Sequence, residues 1–184
     1  EIAKQKPNKK LYIIKYTLGG TRFKEHWNIN NGFCYYYFKK HLKYSIDLLL
    51  TKGLTPNIRA VIFMQGESDS IEQQDVLHYE EREFALINDV FALIKPYSDD
   101  KSIFLDCGVL DITDCFPLYK ETNKAKINNA KKDPRIVYLS TIDLKMTATK
   151  ERPEEVDFAH YDSESMIVFG KKIADVLMEK GLLD

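Results

Sequence analysis

Apolar positions along the chain follow two rhythms in turn, short continuous runs and longer stretches with helical spacing. Leu11-Tyr12-Ile13-Ile14 is a short run ending at Gly19-Gly20 and predicts a buried strand. Over 35–52, Phe38, Leu42, Ile46 and Leu49 fall on one helical face, Gly53 follows as a C-terminal cap, and Pro56 forbids continuation. Ala60-Val61-Ile62-Phe63-Met64 predicts the clearest strand and stops at Gln65-Gly66. Helical spacing returns over 72–95 with Val76, Tyr79, Ile87, Phe91 and Ile94 inward, and Pro96 closes it. Ile103-Phe104-Leu105 predicts a further strand, followed by a loop with Gly108 and Pro117. Segment 118–131 predicts a polar, weakly amphipathic helix, and Arg135-Ile136-Val137-Tyr138-Leu139 another strand. Asp162 then caps a last helix with Met166, Phe169, Ile173 and Leu177 on its inner face.

Alternation of strand and helix predicts an α/β fold, a parallel sheet with helices on both faces. The 184 residues suit one domain and contain no repeat or linker that divides them. In such sheets, sites form at the C-terminal ends of the strands. The polar motifs of this sequence fall at those ends.

Composition narrows the classes. Hydrophobic residues make up 44% and charged residues 30%, the balance of a folded globular protein. A formal charge of −1 and the lack of a long basic run give no reason to expect a nucleic-acid partner. Lys39, Lys40 and Lys43 read as the solvated face of a helix. No apolar run approaches the roughly 20 residues of a membrane span. Cys34, Cys107 and Cys115 are odd in number and lack metal-ligand spacing, so buried free thiols are expected, and they leave the compartment open.

Three motifs carry chemistry. Lys15-Tyr16-Thr17-Leu18-Gly19-Gly20-Thr21 follows a predicted strand, and its glycines allow a turn that exposes backbone N–H groups to an oxyanion. Alone, the pair reads as a plain turn first. The P-loop pattern is excluded, because no Lys-Ser/Thr follows the second glycine. Gln65-Gly66-Glu67-Ser68-Asp69 puts an amide, a glycine and two carboxylates at a buried strand end. A buried amide must be hydrogen-bonded, and its NH2 suits a developing negative charge. Asp157-Phe158-Ala159-His160 precedes the last helix, where the carboxylate can hold one imidazole nitrogen and leave the other as a general base. Alone, that spacing reads first as a histidine paired with nearby acids.

Together and in this order, Gly-Gly-Thr, Gln-Gly-Glu-Ser-Asp and Asp-x-x-His resemble the SGNH hydrolases. More narrowly they are similar to the sialate O-acetylesterase and acetylxylan esterase branch, the carbohydrate esterase family 6-like proteins. Ile14-Lys15-Tyr16, Trp27-Asn28, Phe63-Met64, Thr141-Ile142-Asp143-Leu144 and Gly170 add to the match. The resemblance implies a three-layer α/β/α sandwich with a mainly parallel, flavodoxin-like sheet, and cofactor-free acyl transfer from an acetylated carbohydrate through a serine. It implies His160 as base and acid, with Asp157 fixing its tautomer. The oxyanion would be held by Gly19 or Gly20 N–H and the Gln65 side chain. Glu67 and Asp69 would brace the loop or assist His160. Trp27 and Tyr161 flank these motifs and read equally as sugar-stacking or packing residues.

The resemblance has a gap. The family's nucleophile stands in a Gly-Gln-Ser-Asn-like block after the first strand, and none of Ser45, Ser68, Ser70, Ser98, Ser102, Ser140, Ser163 or Ser165 has that context. Glu1 to Pro7 reads as the last turn of a helix already under way. The expectation is therefore an N-terminally incomplete domain whose missing strand and serine come from an upstream or separate segment. The compartment follows from neither motif nor leader. Two other readings remain, a carbohydrate-binding relative without a nucleophile, and a metal-dependent hydrolase using His160, Asp157 and Asp162. The latter is disfavoured because His26, His41 and His78 lack ligand spacing.

Overall fold

The computed structural model describes residues 1–8, 10–142 and 159–183. Among them, Ala60–Met64 (β1), Ile103–Cys107 (β2) and Ile136–Leu139 (β3) form a parallel sheet in the order β1-β2-β3. Val61 pairs with Phe104, and Leu105 with Val137. Parallel neighbours require crossovers, and helices provide them. In chain order the helices are Ile2–Gln5 (α1), Phe33–Thr51 (α2), Gln73–Val76 (α3), Tyr79–Ile94 (α4), Tyr119–Lys132 (α5) and Ser163–Glu179 (α6), with a wide π-turn at Phe23–Trp27; α3 and α4 connect β1 to β2, and α5 connects β2 to β3.

Strand residues alternate between two cores, as a period of two requires. Phe104 and Ile136, with Val61 and Phe63, join Tyr35, Leu42 and Ile46 of α2 and Leu86, Val90 and Ile94 of α4. Ile103, Leu105, Cys107 and Leu139 face the other way onto Phe169, Val176 and Leu177 of α6. The result is the expected α/β/α layering.

Local signals account for the ends. Gly53 takes a left-handed φ of +70°, donating its N–H to Leu50 O while Leu54 N–H reaches Leu49 O, a Schellman stop for α2. Asp162 Oδ1 accepts the Ser165 N–H at 2.7 Å and caps α6 as expected. The 72–95 helix divides into α3 and α4 because His78 leaves helical geometry (φ −110°, ψ 7°). All five residues expected inward there are buried.

Three expectations need correction. Residues 11–14 form no strand. Among the described residues no strand lies beside them to complete a ladder, and Ile13 is 81% exposed. Ile14 and Tyr16 alone rest on the α2 core. Met166 is exposed rather than inward, leaving Phe169, Ile173 and Leu177 as the packed face of α6. Cys34 and Cys107 are buried free thiols, but Cys115, in the loop after β2, is only partly covered.

β2 occupies one edge of β1. On the α6 face of β1, Ile62 and Met64 stay 47% and 42% exposed, whereas their counterparts on β2 are fully buried. Among the described residues no helix is long and apolar enough to cross a membrane.

Candidate active site

At the C-terminal end of β1 the chain enters Gln65-Gly66-Glu67. Gly66 has φ +132°, and a Cβ there would sit 2.8 Å from Val109 Cγ2 and 2.9 Å from Thr122 Cγ2, so only glycine fits. This turn drops Gln65 and Asp69 into the interior beside the Gly-Gly segment. Gln65 Nε2 donates to Thr21 O at 3.1 Å and to Asp69 Oδ2. Phe23 N–H donates to both Asp69 oxygens, at 3.1 and 3.2 Å. The first two motifs are therefore one hydrogen-bonded unit.

Within that unit Gln65 is buried, and both amide hydrogens point inward to protein oxygens. In this arrangement the amide clamps two loops together. The backbone offered outward is that of Gly19 and Gly20, which are exposed with open space around them, Gly20 at φ +67°. Asp69 is fully buried. Burial outweighs its hydrogen bonds from Gln65 and Phe23 and pushes its carboxyl up to about 6. Glu67 is half-buried, and its charge helps raise the Tyr161 phenol and the Cys107 thiol.

His160 is exposed and lies two residues before the Asp162 cap. Asp157 lies outside the described residues, as do Phe158, Asp143 and Leu144. Trp27 is 8% exposed, with its Nε1–H donated to Thr21 Oγ1 at 2.9 Å. Its ring meets Phe63 edge-on at 5.4 Å and Tyr16 at 6.1 Å. It offers no face to a sugar. Tyr161 packs on Phe169 at 6.2 Å, and burial raises its phenol. Packing is what both rings do here.

A buried chain of polar groups supports the clamp and escaped the sequence reading. The Tyr79 hydroxyl lies 3.1 Å from Gln65 Oε1 and 2.9 Å from Glu83 Oε1. Lys126 Nζ donates to Glu83 Oε1 at 2.9 Å and to Asp106 Oδ1. All four side chains are fully buried. Burial, and then the Glu83 charge, drive Asp106 far above the usual carboxylate range, although Lys126 pulls the other way. Burial alone would lower Lys126, yet the two carboxylates outweigh it and keep it charged. A proton on Asp106, whose Oδ2 has no hydrogen-bond partner among the described residues, makes the trio neutral. Two signals pointed to it: an acid inside the apolar run Ile103–Cys107, and Thr122, Lys126 and Asn129 on one helical face.

A family model described as carbohydrate esterase, sialic acid-specific acetylesterase, matches residues 1–179. Among solved structures, the X-ray structure of a protein from Arabidopsis thaliana is similar, with a TM-score of 0.64 and 20% identity. The match covers 88% of this chain and 58% of that one, so the chain spans little more than half the length of the solved structure. At that identity the likeness bears on the fold alone. No curated protein matches the chain.

Proposed function

The chain belongs to the sialic acid-specific acetylesterase family of carbohydrate esterases, and from that premise we propose that it forms part of a serine esterase that removes O-acetyl groups from carbohydrates. The observation that carries this reading is the union of the Gly-Gly and Gln-Gly-Glu motifs into one unit through Gln65, Asp69 and the Phe23 N–H, at the C-terminal end of a parallel sheet.

The chemistry runs in two halves. A serine Oγ attacks the acetyl carbonyl while its proton passes to the His160 imidazole, steadied by Asp157. The carbonyl electrons rest on oxygen, facing the backbone N–H groups of Gly19 and Gly20. Collapse breaks the bond to the sugar oxygen, which takes the proton from His160, and acetyl remains on the serine. Water then repeats the sequence, releasing acetate and restoring the serine. Gln65 enters as the clamp that fixes the Gly-Gly turn, and an oxyanion role for its NH2 requires it to leave Thr21 O or Asp69.

The serine belongs to a further strand laid along the edge of β1 that carries no strand among the described residues, covering Ile62 and Met64. Main-chain pairing along that edge, with apolar cover on the α6 face, would place a residue from its C-terminal end beside Gly19 and Gln65. Treating the full protein with a fluorophosphonate tests this. The expected result is one modified serine and loss of acetyl-ester hydrolysis. Sugar binding with neither labelling nor turnover would favour instead the nucleophile-less binding relative, the reading supported by the absence of a Gly-Gln-Ser-Asn-like block in this chain.

A further inference from the structure

α4 begins at Tyr79, whose fully buried hydroxyl touches the Gln-Gly-Glu turn in three places. Its oxygen lies 3.1 Å from Gln65 O and 3.1 Å from Gln65 Oε1. A Cβ on Gly66 would stand 3.1 Å from the same atom, so the turn rests on this side chain. The Tyr79 ring meets Phe23 edge-on at 5.1 Å, and Phe23 is the residue whose N–H binds Asp69. Tyr79 thus touches the strand end, the turn after it and the segment that follows the two glycines.

The Gln65 amide has one orientation, and its two ends set it. Thr21 O is a carbonyl with no hydrogen to give, so the atom 3.1 Å from it is the amide nitrogen. Asp69 Oδ2 takes the other hydrogen. Gln65 Oε1 then points to Tyr79, the one donor it faces among the described residues. The Tyr79 hydroxyl also faces Glu83 Oε1 at 2.9 Å, and an unanswered carboxylate there would draw its hydrogen away from the amide. Lys126 Nζ and Asn129 Nδ2 answer that charge, at 2.9 Å to Glu83 Oε1 and 3.0 Å to Glu83 Oε2. The hydrogen is therefore shared with Gln65. Burial, and then the Glu83 charge, hold the phenol well above its ordinary pKa, so that hydrogen stays in place.

We propose that Tyr79 is a positioning residue of the active site. Its hydroxyl holds the Gln65 oxygen inward, which keeps the Gln65 NH2 on Thr21 O and the Gly-Gly turn in place for the oxyanion. Without that donor the buried amide oxygen is unsatisfied, and the side chain turns away to find another. This role rests on the esterase reading and adds to it a residue that acts through Gln65 and touches neither acetyl group nor sugar.

Steady-state hydrolysis of para-nitrophenyl acetate by the full protein tests it through a double-mutant cycle. Tyr79→Phe keeps the ring and removes only the hydroxyl. It is expected to lower kcat by about tenfold, with KM within about twofold of wild type. In a Gln65→Ala background the same change is expected to lower kcat by less than about twofold, because the group it acts through is gone. Ser102→Ala removes another buried hydroxyl, bound to Ile58 O at 2.6 Å at the N-terminal end of β2, and is expected to keep wild-type kcat. Wild-type kcat in Tyr79→Phe, an equal loss in both backgrounds, or the same loss in Ser102→Ala overturns the role. Two NMR readouts need no turnover. The Gln65 side-chain amide hydrogens are expected to exchange about tenfold faster in Tyr79→Phe, and unchanged exchange overturns the role. In the unmutated protein the deuterium isotope shift at Tyr79 Cζ is expected to report a slowly exchanging hydroxyl, and a freely exchanging one overturns it too. Absence of ester turnover in the wild type defeats the esterase reading alone, and the amide exchange then decides whether Tyr79 holds Gln65.

Discussion

Asp69 shows what a single residue contributes and what a sequence withholds. The motif located a carboxylate near a strand end, but not that it is sealed from water with a raised pKa. Its folded-state value of about 6 stands above the ordinary 3.8. The sign follows: its protonated form is the favoured one in the fold, so the stability it contributes is full below pH 3.8 and is lost as pH rises through 6. The shift corresponds to about 3 kcal/mol across that window. Asp69→Asn is expected to flatten the wild-type fall in stability between pH 4 and 6.5, as read by urea midpoints at each pH. A variant whose pH profile parallels the wild type contradicts the assignment. Gln65 is a similar case. Its position at a buried strand end announced an amide that must be satisfied, but only the fold reveals that Thr21 and Asp69 consume both its hydrogens.

At the level of elements, legibility depended on whether the periodic face was apolar. The strands β1, β2 and β3 and the helices α2 and α4 carry their burial pattern in hydrophobic residues, and each was readable from spacing. α5 has the same periodicity written in polar residues. Its buried face is Thr122, Asn123, Lys126 and Asn129, joined by Ala125, so it reads as weakly amphipathic although it packs tightly on α4. Residues 11–14 fail in the opposite sense. They have a strand's composition, but a strand is made by its neighbour's backbone, and composition says nothing of the neighbour. Lys126 ties α5 to α4 and β2 through Glu83 and Asp106. Lys126→Met is expected to cost about 3–5 kcal/mol, because the buried Glu83 carboxylate loses the cation paired with it. Chemical denaturation measures this directly. A cost under 1 kcal/mol would mean that the carboxylates are already neutral without it.

For the whole molecule, layering and topology were legible because alternation of strand and helix leaves few other architectures. The assembly of the site was legible only in part. The fold joins the Gly-Gly and Gln-Gly-Glu motifs through bonds that no spacing rule predicts. The edge of β1 that carries no strand among the described residues is where a nucleophile-bearing strand belongs in the proposed esterase. Everything in that account converges on His160 as the group that moves the proton. The most direct test is the steady-state hydrolysis of an O-acetylated sialic acid by the full protein and its His160→Ala variant. A fall in kcat on the order of 10³-fold or more, with KM little changed, is the predicted result. Wild-type kcat in the variant would contradict it.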